Sequence, residues 1–186
     1  MTETGDILEV AVFVYLALVG YNRTEIEEMV TQVLDHEGTK LSHREVFGVD
    51  FPKSLKVRNE SKELMDLHKE RESGIWVVTA SSQIVVQSML RRFFNAYNCR
   101  RIGITSEEDH GVLTGHLVLP IPSLQGKVDS IKKYIHPIQR LLSTTGDSPN
   151  DEPMLRYSIL KVVAGRNGRL LEKVEGEMMG IGFSYK

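Results

Sequence analysis

Apolar positions change their period along the chain. Val10–Val19 (VAVFVYLALV) is apolar without a break, and it runs into a segment where Ile26, Met29, Val30, Val33 and Leu34 recur at helical intervals. Thr24 and Glu27 have the spacing of a capping box, with Thr24 as N-cap, and Gly38 supplies a stop. Residues 7–37 therefore predict two helices with a turn at Gly20–Arg23. The alternative for Val10–Val19 is a strand. The run is too short to cross a bilayer as a helix, and the preceding MTETGDILE carries acid where an export signal needs base, which favours a buried helix over an anchor. Residues 38–56, interrupted by Gly48 and Pro52, predict a linker or boundary.

From Asn59 the pattern alternates. NESKELMDLHKERES predicts a helix with Leu64, Leu67 and His68 near one face, ended by Gly74. Ile75–Val78 is a short β-branched apolar run, the signature of a strand buried on both faces. A helix follows (SQIVVQSMLRRFFNAY), then a strand at Arg100–Thr105 and a small hairpin within Glu107–Pro120 turning at Gly111. GKVDSIKKYIHPIQRLL predicts a helix that Pro137 ends or kinks. LLSTT and Ile159–Ala164 read as strands, with helices after each (EPMLRYS and RNGRLLEKVEGE). Alternating helices and strands predict an α/β fold: a doubly wound parallel sheet with helices on both faces.

Composition narrows the picture. Lys and Arg number 23 against 25 Asp and Glu, a net charge of −2, so no basic surface for nucleic acid is indicated. Cys99 is the only cysteine, which excludes an intrachain disulfide and is compatible with a reducing, cytoplasmic compartment.

Ligands of open α/β sheets sit at the carboxyl ends of strands, so the residues there carry the candidate chemistry. Thr79-Ala80-Ser81-Ser82 follows the first strand. Hydroxyls and free N–H groups at a helix start can hold an anion, or simply cap the helix. Gly126-Lys127 opens a later helix, where an ammonium can approach a phosphate or stay solvated. It is not a P-loop: Ile121 stands where the first Gly is needed, and Val128 replaces the Ser/Thr. GDSPND, Gly146–Asp151, follows LLSTT. Asp147 and Asp151 suit a hard divalent cation, which takes one or two carboxylates and completes its shell with phosphate and water. A plain turn capping the next helix is the alternative. An EF-hand is excluded by Pro149 and Glu152 at its third and sixth positions.

Taken in order, these stretches resemble the haloacid dehalogenase superfamily, in its phosphoserine phosphatase-like branch. The resemblance covers about residues 54–165, through ESGIWVVTASSQIVV, RIGI, DHGVLTGHLVLPIPSLQGKVDSI and TTGDSPNDEPML. It implies a Rossmannoid core and Mg²⁺-dependent hydrolysis of a small phosphomonoester through an aspartyl-phosphate. It implies that Thr79, with Ala80 and Ser81, and Lys127 bind the phosphoryl group. It further implies that Asp147 and Asp151 serve the metal site, and that Asn150 lies near the phosphate.

One part of the family pattern is missing. The nucleophile belongs to an Asp-x-Asp motif after the central strand, and the 186 residues contain no Asp-x-Asp. Asp6, Asp35 and Asp50 are the nearest imitations, and no convincing strand precedes any of them. The expectation is therefore a chain that begins inside a helical cap. Residues 1–50 would be partial cap and linker. Residues 51–186 would be a core without its first strand, inactive alone and prone to self-association or dependent on a partner segment. A non-catalytic remnant that binds Mg²⁺ and phosphate or pairs with another polypeptide is the second reading. An unrelated doubly wound binding domain is the third.

Overall fold

The computed structural model describes residues 3–37, 43–46, 49–52, 57, 59–135, 141–164 and 168–175. Helix α1 spans Glu3–Ala17 and α2 spans Arg23–Glu37, so Val10–Val19 starts as a helix and not as a strand. Only one stripe of α1 is covered. Ala11 and Tyr15, four apart, are buried, while Val10 is 63% and Phe13 75% exposed. The cap of α2 lies two residues earlier than expected. Asn22 Oδ1 accepts from Glu25 N (3.0 Å), and Glu25 Oε2 accepts from Asn22 N (2.8 Å), a reciprocal pair that displaces Thr24 and Glu27 from that role.

Residues 38–56 are more than a linker. Strands β1 (His43–Val46) and β2 (Val49–Pro52) pair antiparallel, with Asp50 opposite Glu45. Pro52 ends β2 instead of interrupting it, and a strand end tolerates a residue without an N–H. Gly38 and Gly48 lie outside the described residues.

The remaining elements follow the predicted alternation. Helix α3 (Asn59–Glu70) leads to β3 (Trp76–Ser82), α4 (Gln83–Phe93) and β4 (Arg100–Ile104), with β3 and β4 parallel. The hairpin β5 (Ser106–Asp109) and β6 (Val112–Leu117) comes next, then α5 (Gln125–Tyr134). Pro137 lies outside the described residues. Strand β7 (Ser143–Gly146) pairs parallel with β8 (Leu160–Val163), and between them stand a 3₁₀ turn (Pro149–Asp151) and α6 (Glu152–Tyr157). Helix α7 (Gly168–Glu175) is the last element described. Parallel strands with intervening helices are the α/β architecture expected from the sequence.

Two apolar clusters hold these parts. Ala11, Tyr15, Ile26, Ile84, Ile104 and Leu113 join α1 and α2 to α4, β4 and β6. Leu155, Val163, Leu170 and Val174 join α6, β8 and α7. The turn between α1 and α2 is tied to β6 by Gly20 N donating to Leu113 O (3.2 Å) and Leu113 N donating to Tyr21 O (3.0 Å). Helix α5 packs against α6 and touches β3 and β4, so it joins the two halves. Among the described residues, β3 and β7 each pair with a single strand. None of the described helices is long and apolar enough to cross a membrane.

Candidate functional site

Lys127 enters the interior because the chain before it turns tightly. Leu124 has φ +48°, a conformation bulky residues avoid. A Cβ on Gly126 would lie 1.9 Å from the Ile121 carbonyl oxygen, so only glycine fits this approach. The turn delivers the Lys127 ammonium to Asp151 Oδ1 in an ion pair, both side chains 8% exposed. A charge so placed is costly unless its remaining hydrogen-bonding positions are filled.

The GDSPND loop fills those of Asp151. Its Oδ2 accepts from Asp147 N (3.1 Å), Ser148 N (3.1 Å) and Ser148 Oγ (3.0 Å). Ser148 and Asp151 thus form a capping box on the Pro149–Asp151 turn. Gly146 makes room for this return, since a Cβ there would sit 2.3 Å from Asp151 Cβ. Burial disfavours ionisation of Asp151. The hydrogen bond and charge of Lys127, with the Ser148 donors, outweigh it and hold the carboxyl below its usual range.

The loop therefore divides its two carboxylates. Both oxygens of Asp151 are engaged within the protein, so its side chain organises the loop and Lys127. Asp147 is exposed just after β7, with its N–H fixed by Asp151. Asn150 Oδ1 is buried with no hydrogen-bond partner, an acceptor able to take a donor from a ligand or its hydration shell. An exposed carboxylate and an unsatisfied acceptor in one loop are groups that could hold a Mg²⁺ ion completed by phosphate and water. Among the described residues, no cluster of three or more His, Cys, Asp or Glu forms a separate metal cage.

The hydroxyl segment belongs to β3. Thr79, Ala80 and Ser81 lie inside that strand, where its register against β4 shifts between Val78 and Ser82. The bulge explains why a sequence reading ends the strand at Val78. Thr79 Oγ1 accepts from Ser81 N (3.1 Å), which leaves the hydroxyl proton available to an acceptor. Ser82 precedes α4 but makes no side-chain cap. It is instead hydrogen-bonded to the buried Tyr15 hydroxyl (2.9 Å), which also contacts the Ile104 carbonyl. Burial raises the Tyr15 pKa. Tyr15, Gly146 and Ser148 are the participants that sequence reasoning missed. Only the turn chemistry of Gly146 and Ser148 left a local trace.

A family model described as haloacid dehalogenase-like hydrolase matches residues 6–156. The chain belongs to this family. No curated relative matches its sequence. Among solved structures, a protein of unknown function from Bordetella pertussis Tohama I aligns with TM-score 0.68 at 18% identity, over 90% of this chain and 70% of that one. A HAD family hydrolase from Salmonella enterica serovar Typhi aligns with TM-score 0.50 at 15% identity, over 82% and 45%. A phosphoserine phosphatase, titled as a phospho-aspartyl intermediate analogue, reaches TM-score 0.48 at 19% identity, over 82% and 80%. At such identities the first two likenesses concern the fold alone. Within this HAD-like hydrolase, Lys127 and the GDSPND loop are joined directly, and α5, which carries Lys127, also packs against β3, the strand that holds Thr79–Ser81.

Proposed function

We propose that this chain carries the phosphate- and Mg²⁺-binding side of a phosphatase for a small phosphomonoester. In this reading residues 1–50 are cap and linker and residues 51–186 the core. The observation that carries it is the buried Lys127–Asp151 pair, which fixes an ammonium against the same GDSPND loop that exposes Asp147. Lys127 would attract the phosphoryl oxygens, and the Thr79 hydroxyl would donate to one of them. Asp147 would hold Mg²⁺, which when bound supplies further positive charge against the transferring group.

The aspartyl-phosphate route also needs a carboxylate aligned with phosphorus. The acids that most resemble one stand in other elements. Asp6 lies in α1, Asp50 in the β1–β2 hairpin, and Asp35 is exposed on α2 in an ion pair with Arg92. In this reading the aligned carboxylate is supplied beside β3 or β7, each of which pairs with a single strand among the described residues. The second reading, a non-catalytic binder of Mg²⁺ and phosphate, is favoured by the same missing motif.

Hydrolysis of p-nitrophenyl phosphate by the purified chain in Mg²⁺ tests the assignment. No turnover is expected, with inorganic phosphate still bound. Turnover abolished by Asp147→Asn would mean that a carboxylate of this chain is the nucleophile, and the divided-site reading would fail.

A further inference from the structure

A cavity of 570 Å³ lies between α1 and the carboxyl ends of β3 and β4. Val10, Ala11, Val14 and Tyr15 form its α1 wall, Ala80–Ser82 its β3 wall, and Val85 and Ile104 complete it. Among the described residues, no Lys, Arg, Asp, Glu or His lines it. The Tyr15 hydroxyl is already engaged with Ser82 and the Ile104 carbonyl. Among the described residues β3 pairs only with β4, so a strand added to its other edge would lie away from β4 and from the wall that Ile104 makes.

We infer that this cavity is a specificity subsite, taking the uncharged, apolar alcohol portion of the phosphomonoester. The inference rests on the phosphoryl-binding reading of Thr79–Ser81, because Ala80 and Ser81 belong both to that segment and to the cavity wall. The volume is within the range of small-molecule sites, about 300–1,000 Å³, and such sites are mainly apolar with few polar groups. An alkyl or aryl group gains by leaving water here. A zwitterionic amino-acid group would lose its hydration and find no opposite charge. The favoured substrate class is therefore an aryl or alkyl phosphate and not a phosphorylated amino acid.

Calorimetric titration of the whole chain in Mg²⁺ with 2-naphthyl phosphate, 2-naphthol, inorganic phosphate and O-phosphoserine tests this. The expected result is that 2-naphthyl phosphate binds at least about tenfold more tightly than inorganic phosphate or O-phosphoserine. Val14→Asp, at a 43% exposed position, should remove that preference and keep phosphate binding. Val10→Asp, at a 63% exposed position, is the second variant should the first unfold. Equal affinities for all three phosphates, each weakened by Lys127→Met, would overturn the subsite and leave the phosphate site standing. Binding of 2-naphthol with no phosphate binding would overturn both, showing an apolar pocket unconnected with phosphoryl chemistry.

Discussion

Lys127 and Asp151 depend on each other. Replacing Lys127 by Met leaves a buried carboxylate without its cation, and we expect a loss of about 3 kcal/mol in chemical denaturation. Adding Asp151→Asn should recover part of that loss, because the stranded charge is gone, so the double variant should be more stable than the sum of the singles predicts. The pH dependence has a definite sign. The Asp151 carboxyl is held below its unfolded value of about 4, so its stabilisation is complete above that pH and is lost as pH falls through the lower folded value. Denaturation midpoints measured from pH 6 to pH 2 should show this fall in the native chain and a smaller one in Asp151→Asn. At this scale the sequence announced the residue types but not their division of labour. GDSPND offers two carboxylates, and only folding shows that one turns inward, since the three donors around Asp151 are created by the turn itself.

The elements show where local pattern suffices and where it does not. The order from α3 to α7 was legible because β3, β4 and β8 each contain a short apolar run and the helices between them repeat at their own period. The end of β3 was not legible, because its bulge puts Thr79–Ser82, with the look of a loop, inside the strand. The hairpin β1–β2 was hidden by Gly48 and Pro52, residues usually read as breakers. The cap of α2 was misplaced because Asn22/Glu25 and Thr24/Glu27 share one spacing, and contact with β6 favours the earlier pair. Asn22→Ala should cost about 1 kcal/mol, read as a lower thermal midpoint. Gly146→Ala should do more damage at the site, since its Cβ would press on Asp151 at 2.3 Å. The Asp151–Ser148 contacts should then shift, and phosphate affinity should fall with the fold retained by circular dichroism.

For the whole molecule, the missing Asp-x-Asp and the uncovered apolar face of α1 fit one account. Phe13 and Leu16 are exposed at 75% and 59%, in a run from Val10 to Val19 that carries no charge. Together with the single pairing of β3 and β7 among the described residues, this surface underlies our proposal that a partner segment or a second copy covers it. Sedimentation should show association that grows with concentration, and Phe13→Lys should reduce it without changing phosphate binding. The charge balance and the strand order were visible in the sequence. The surface left open was not, since a helix apolar all round normally signals full burial.

We propose that Lys127, Thr79 and the GDSPND loop form one site for phosphate and Mg²⁺. Calorimetric titration of the chain with inorganic phosphate, with and without Mg²⁺, tests it most directly, alongside Lys127→Met and Thr79→Val. Phosphate should bind more tightly with Mg²⁺, and each substitution should weaken binding, by about tenfold or more for Lys127→Met. Phosphate binding that is indifferent to Mg²⁺ and equal in all three proteins would contradict it.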